Sequence, residues 1–323
     1  MKNILVTGGA GFIGSHLCDA LIKNGNRVIC VDNLQRGDTD NIHHLFDCEN
    51  FSFYNLDVRN TEAIDKLLSE YKIDKVYHMA ANTDLWESMR EPTIEDECTF
   101  KTTKSLLVAM KKAGVRDMFF ASTSAIYGEQ TGNRGFAETD QLFPVSYYGA
   151  AKMASEAYIY AYAFMNDMNV LIYRFSNIIG QRMTHGVIRD FIGRLMDDPS
   201  HLDVRGNGYQ SKPYLHVSEL IRAIMAVDNV EGVQIYNVGA TTCTNVRFIA
   251  DAVVRELHLE DIPINYENHE GGWKGDVAYY EYNIDKIHNK SNWKPIMTSD
   301  ETVIRSVAEI ANDERIRRSK NNG

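Results

Sequence analysis

Three glycines constrain this chain more than any other feature. Gly8, Gly11 and Gly14 follow the apolar run Ile4-Leu5-Val6, and Leu17, Leu21 and Ile22 then recur at helical spacing. A buried strand that turns through glycines into a helix presents unpaired backbone N–H groups and a positive dipole end to an anion. One glycine allows the tight turn, one lets a pyrophosphate approach the backbone, and one lets helix and strand pack closely.

The next stretch supplies context for that loop. Asn26-Arg-Val-Ile-Cys-Val-Asp32 reads as a second strand ending in an acid at the distance expected of a ribose-binding carboxylate. A carboxylate there accepts hydrogen bonds from the ribose hydroxyls of NAD and repels the additional phosphate of NADP. Arg36 leaves NADP as the alternative, and a turn or helix-cap role is the plain structural reading of Asp32.

Strand-like runs at 3–7, 27–31, 51–56, 74–79, 117–122 and 169–175 alternate with amphipathic stretches. That order predicts an α/β fold with a doubly wound parallel sheet of the Rossmann type. With 323 residues, the length suggests two domains. The composition changes after Gly180, and the tail Asp313–Gly323 is polar, its end expected to fray. A net charge of −10 argues against a nucleic-acid or anionic-membrane surface. No apolar stretch approaches a membrane span or a signal peptide, so a cytoplasmic location is expected. Five cysteines without CxxC spacing read as reduced thiols, and no cluster suggests a metal.

Further along, Asp57 closes the third run, suited equally to an adenine amino group or to capping the next helix. His78-Met-Ala80-Ala81 ends the fourth with small residues that admit a dinucleotide; His78 itself reads as a packed residue beneath the site. Ser122-Thr123-Ser124 follows Met118-Phe-Phe, placing hydroxyls at the carboxyl edge of the sheet. Tyr148 and Lys152 then stand four apart, on one face of a helix. An ammonium near a phenol favours the phenolate and predicts a lowered phenol pKa. Such a phenolate can act as general base on a sugar hydroxyl, with Thr123 sharing the proton.

These motifs stand together in one order: TGGAGFIGSHL, VDNL, His-x-Ala-Ala, the Ser-Thr strand, YGAAK, Arg174-Phe-Ser-Asn177 and Tyr214-Leu-His-Val. With them the sequence resembles the extended short-chain dehydrogenase/reductase family, the nucleotide-sugar epimerases and dehydratases, over nearly its whole length. The resemblance implies an NAD-binding domain over 1–180, to which part of 214–240 returns, and a nucleotide-sugar-binding domain over 181–323. It implies a homodimer through helices around 97–113 and 148–166. The cofactor contacts it implies are Gly8, Gly11, Phe12, Ile13, Gly14, Asp32, Asn33, Asp57, Val58, Ala80 and Ala81, with Tyr148 and Lys152. The catalytic residues implied are Thr123, Tyr148 and Lys152.

Departures from the family pattern bear on the substrate. Dehydratases and decarboxylating members carry Glu where Ala125 stands, and Ala125 cannot transfer a proton, so elimination of water lacks its catalyst. Thr99 replaces a usual Asn. Lys212 replaces a usual Arg, and the family's Arg-x-Gly-Asp becomes Trp273-Lys-Gly-Asp276; arginine clamps phosphates as a fork where lysine acts as a point charge. Thr83, Ser124, Asn177, Arg189, Lys212 and Trp273 are the expected substrate contacts; Arg182, Arg194 and Lys274 are further basic candidates, and Trp86 is a second aromatic one. The activity implied is oxidation at C4 of a UDP- or GDP-linked sugar. A 4-epimerase of the UDP-glucose type leads. A GDP-hexose or GDP-heptose 4-dehydrogenase that releases the keto sugar is the alternative, and a catalytically silent NAD-binding sensor is the third reading.

Overall fold

A computed structural model describes residues 1–130, 134–272 and 275–321. Strands β1 (Asn3–Thr7), β2 (Arg27–Asp32), β3 (Phe51–Asn55), β4 (Lys75–His78), β5 (Asp117–Thr123) and β6 (Asn169–Phe175) fall on the six apolar runs of the sequence. Helices α1 (Phe12–Lys23), α2 (Thr61–Glu70), α3 (Leu85–Arg90), α4 (Thr93–Glu95), α5 (Thr102–Ala113) and α6 (Tyr147–Asn166) lie between them. A π-helical segment, Asp96–Lys101, joins α4 to α5.

Later come β7 (Asn177–Ile179), α7 (Val187–Asp197), β8 (Leu202–Val204), β9 (Ser211–Lys212), β10 (Tyr214–His216), α8 (Val217–Ala226) and β11 (Val233–Val238). The chain finishes with β12 (Thr244–Asn245), α9 (Val246–Glu256), β13 (Ile264–Tyr266), α10 (Asp285–Ser291) and α11 (Ser299–Asn321).

The main sheet has seven strands in the order β11-β6-β5-β4-β1-β2-β3. The registers of β1 with β2 and β4, β2 with β3, and β4 with β5 are all parallel. This is the doubly wound order, reversing direction beside β1, where such sheets bind ligands at the carboxyl ends of their strands. The expected α/β Rossmann-type sheet is therefore present, extended by β11.

Two compact units make up the chain. One comprises residues 1–126, 146–174 and 224–236, and the other 127–145, 175–223 and 237–323. In the first, Leu5, Ile29, Val76, Phe120 and Ile172 of the sheet pack with Ile64 and Leu68 of α2, Leu106 and Met110 of α5 and Ile159 of α6. The period-two and period-3.6 patterns of these segments put those side chains on one buried surface. In the second, Ile188 and Ile192 of α7, Ile249 and Val253 of α9, and Val303, Val307 and Ile310 of α11 form a helical core.

The polar C-terminal tail is helical, with α11 running to Asn321; the end expected to fray lies outside the described residues. The buried carboxylate of Glu314 explains this: Arg317 and Arg318 bind it at 3.0 and 2.8 Å from one turn on, and Arg189 binds it from α7. Three cations on one carboxylate hold Glu314 well below the usual range, at about 2 against the opposing effect of burial. Among the described residues, no helix is long and apolar enough to cross a membrane.

Candidate active site

The glycine loop is closed by contacts that admit no larger residue. Gly8 has φ +67°, and a Cβ there would lie 2.7 Å from the Ala80 nitrogen. A Cβ on Gly14 would lie 2.1 Å from the Gly8 carbonyl oxygen. Gly11 caps α1 without a side-chain hydrogen bond, so Phe12 and Ile13 begin a helix whose N-terminus is suited to a phosphate. Asp32 ends β2 nearly buried, its carboxylate accepting from Ala10 N at 3.0 Å and Leu34 N at 2.8 Å. Burial pushes this carboxyl up, and the two backbone N–H groups oppose that shift.

Asn33 donates to Asp57 at 3.1 Å, and Arg59 grips the same carboxylate. That grip, reinforced by Asn33, holds Asp57 at about 2. Val58 is buried beside it, while Ala80 and Ala81 follow β4. Arg36, the residue that left NADP open, is bound by the carboxylates of Asp84, at 3.2 Å, and Glu87. A tight glycine turn, an uncapped helix start and an oriented carboxylate fit a dinucleotide with a free ribose diol. Among the described residues, no group of three His, Cys, Asp or Glu side chains could hold a metal ion.

Thr123 ends β5, and Tyr148 and Lys152 lie in the first two turns of α6, whose start is capped by Ser146 accepting from Gly149 N at 3.1 Å. The Tyr148 hydroxyl is hydrogen-bonded to Thr123. Lys152 is 2% exposed, and its Nζ donates to the Ala121 carbonyl at 2.7 Å, lying 4.8 Å from the Phe120 ring centre and 5.9 Å from that of Tyr148. The expected lowering of the phenol pKa is not what these groups produce. Burial pushes Tyr148 well above its ordinary value, the negative charge of Glu95 adds to that, and the Thr123 bond opposes it. Burial likewise lowers Lys152, to about 8, with Glu95 and Glu156 opposing.

Ser122 is committed elsewhere. It donates to Glu156, which Arg174 also binds at 2.7 Å in a buried pair. His78 is fully buried: its Nδ1 meets Thr7 Oγ1 at 2.7 Å and its Nε2 meets Thr103 Oγ1 at 3.1 Å.

Composition and motif reading missed one part of this unit. Glu95 is 2% exposed and accepts from Asn82 Nδ2 at 2.8 Å, from Ser88, and from Thr99 Oγ1 at 2.6 Å. Its sequence signal was weak, an acid within the acidic stretch Glu91–Glu97, although its spacing of four from Thr99 was readable.

The expected substrate contacts are distributed over both units. Thr83 and Ser124 are partly buried in the first, where Ser124 opens a short 3-10 turn containing Ala125. Trp86, in α3, is 44% exposed. In the second unit Asn177 donates to Tyr280 Oη at 3.3 Å, Arg189 binds Glu314, and Lys212 binds Asp276. Arg182 donates its backbone N–H to Asp313 and Arg194 donates to the Asp203 carbonyl. Trp273 and Lys274 lie outside the described residues.

Comparison with known proteins agrees with this geometry. The NAD dependent epimerase/dehydratase family matches residues 4–239. A UDP-arabinose 4-epimerase of Arabidopsis thaliana is 30% identical, over 91% of this chain and 75% of its own length. A crystal structure of UDP-glucose 4-epimerase with UDP-glucose from Thermotoga maritima is 30% identical, covers 97% of this chain and 99% of its own, and superposes with a TM-score of 0.87. A dTDP-glucose 4,6-dehydratase from Streptomyces venezuelae, with NAD bound, is 25% identical over 98% of both chains with a TM-score of 0.89. On the strength of these matches and of its glycine loop, the chain belongs to the NAD-dependent epimerase/dehydratase family.

Proposed function

We propose that this enzyme is a nucleotide-sugar 4-epimerase, with Tyr148 as the group that takes and returns the C4 hydroxyl proton. The observation that carries the reading is the Thr123–Tyr148–Lys152 arrangement beside Ala125. Tyr148 is the proposed proton carrier, Thr123 orients its hydroxyl and can share the proton, and the Lys152 charge steadies a phenolate. Bound NAD supplies the hydride acceptor and donor at the sugar carbon. Ala125 has no acid or base to offer at the neighbouring carbons, so the sugar keeps its C6 hydroxyl. Epimerases and a dehydratase share this fold closely, so the fold does not choose between them; Ala125 supports epimerisation.

Asp32 holding the ribose diol, the helix start at Phe12 and Ile13 meeting the pyrophosphate, and Asp57 near the adenine complete the proposed cofactor contacts. Thr83, Ser124, Asn177, Arg189 and Lys212 are the proposed sugar-nucleotide contacts. For Arg189 and Lys212 this requires a phosphate to compete with Glu314 and Asp276. Chromatographic separation of C4 epimers after incubation with a panel of UDP- and GDP-hexoses tests the reading. Conversion of at least one pair of C4 epimers in both directions supports it; turnover with no inverted sugar refutes it.

The same reading includes a homodimer. Tyr160, Phe164 and Met165 of α6 are 60%, 80% and 76% exposed, and Val108 of α5 is 38% exposed. Large apolar side chains repeated at spacing four favour a helix-on-helix partner. Light scattering should give twice the chain mass, and Phe164→Glu should halve it; a monomeric native protein would refute the dimer.

A further inference from the structure

Among the described residues, two buried ionisable side chains of the first unit have no contacting group of opposite charge, and the elements that carry them pack together: Glu95 ends α4, which with the π-helical segment after it lies against α6, the helix of Lys152. The Lys152 ammonium is buried, and among the described residues its hydrogen-bond partner is a neutral carbonyl, Ala121 O. The nearby carboxylate on its own helix, Glu156, is already bound to Arg174 and Ser122. Glu95 shows the converse: its three partners, Asn82, Ser88 and Thr99, are neutral. An isolated buried charge is costly, and the usual remedy is an opposite charge within the same low-dielectric region.

We propose that Glu95 is the counter-ion of Lys152, a positioning residue whose buried negative charge keeps the lysine an ammonium at the pH where the reaction runs. This rests on the reading of Tyr148 as the base, since a neutral lysine could not steady a phenolate. Asn82, Ser88 and Thr99 hold the carboxylate in place with three donors. The π-helical segment begins directly after Glu95, and such wide turns recur where a helix places a functional group. The charge acts on both members of the pair, sustaining the ammonium of Lys152 and discouraging premature ionisation of Tyr148. The other charged or titratable groups around Lys152 are Tyr148 and Glu156 on α6, Arg174 on β6 through Glu156, and His78 on β4, which is neutral at working pH.

The test is the titration of Lys152 in NAD-loaded protein labelled with [13Cε]lysine, its signal assigned by loss in Lys152→Arg. The native midpoint should lie below the ordinary lysine value, because the ammonium is buried. Glu95→Gln, which keeps the shape and removes the charge, should lower it by about one unit. Glu95→Met, of similar length, serves if the amide variant does not fold, and Glu95→Asp should restore part of the shift. A role confined to packing would lower the melting temperature and leave the midpoint where it was. A midpoint unchanged within about 0.3 unit in either folded uncharged variant overturns the proposal. Failure of the Tyr148 reading has a separate sign, retained turnover in Tyr148→Phe, and leaves this titration intact.

Discussion

The hydroxyls of Thr123 and Tyr148 are hydrogen-bonded to each other, although one closes a strand and the other opens a helix. The bond directs the phenol, and it lowers the Tyr148 pKa against the larger effect of burial and the Glu95 charge. As the proposed base, Tyr148 would need the neighbouring Lys152 ammonium to form its phenolate.

Tyr148→Phe keeps the ring and removes the exchangeable proton. Turnover should fall by at least about a hundredfold, the size expected for loss of a general base. Substrate affinity, measured separately by calorimetry, should change little. Near-normal turnover would move the base elsewhere, with Thr123 the first residue to examine.

The proposed role of Asp32 as the ribose-binding carboxylate bears on cofactor preference. The Asp32 carboxylate is oriented by two backbone N–H groups, and Arg36 is occupied by Asp84 and Glu87. NAD should bind at least about tenfold more tightly than NADP, and Asp32→Ala should lose most of that difference, as expected for a charged hydrogen bond. Fluorescence titration with both dinucleotides measures it. Tighter binding of NADP by the native protein would contradict the assignment.

His78 makes the fold sensitive to acid. Burial, with the Lys152 charge adding to it, pushes its pKa down to about 3. Between the ordinary histidine value and 3, the unfolded chain binds a proton at this position and the folded chain does not. The stability from His78 is therefore fully present at neutral pH and is lost as pH falls through that window. Thr103 donates its hydroxyl to the Thr99 carbonyl and so accepts from Nε2; protonation at Nδ1 would force the Thr7 hydroxyl, which donates to that nitrogen, to become an acceptor instead. Thermal melts from pH 7 to pH 4 should show a smaller decline in His78→Gln than in the native chain; an equal decline would assign the acid sensitivity to other groups.

The alternating segments made most of the sheet legible before any coordinates. Six strands are short runs of β-branched and aromatic residues whose periodicity differs from that of the helices between them. The seventh, β11, lies beside β6, a strand distant in sequence, so no local pattern announces the pairing. The tail helix was missed because its stability depends on Glu314 gathering arginines, one of them from α7, and a pattern search sees only a polar run. At the site, Tyr148 and Lys152 were readable from a helical spacing of four. The Tyr148 ionisation was not, since desolvation depends on what packs around the hydroxyl. Glu95 was hidden for the same reason: in sequence it is one acid among several, and only folding buries it.

Single turnover separates the central claim from its competitors most directly. NAD-loaded protein is mixed with a nucleotide sugar it converts, NADH absorbance is followed, and the sugar is then identified by mass spectrometry and NMR. Epimerisation requires an inverted C4 centre, a retained C6 hydroxyl and no lasting NADH. Persistent NADH with a released 4-keto sugar would make the enzyme a 4-dehydrogenase, and a 4-keto-6-deoxy sugar would contradict both that reading and the role assigned to Ala125.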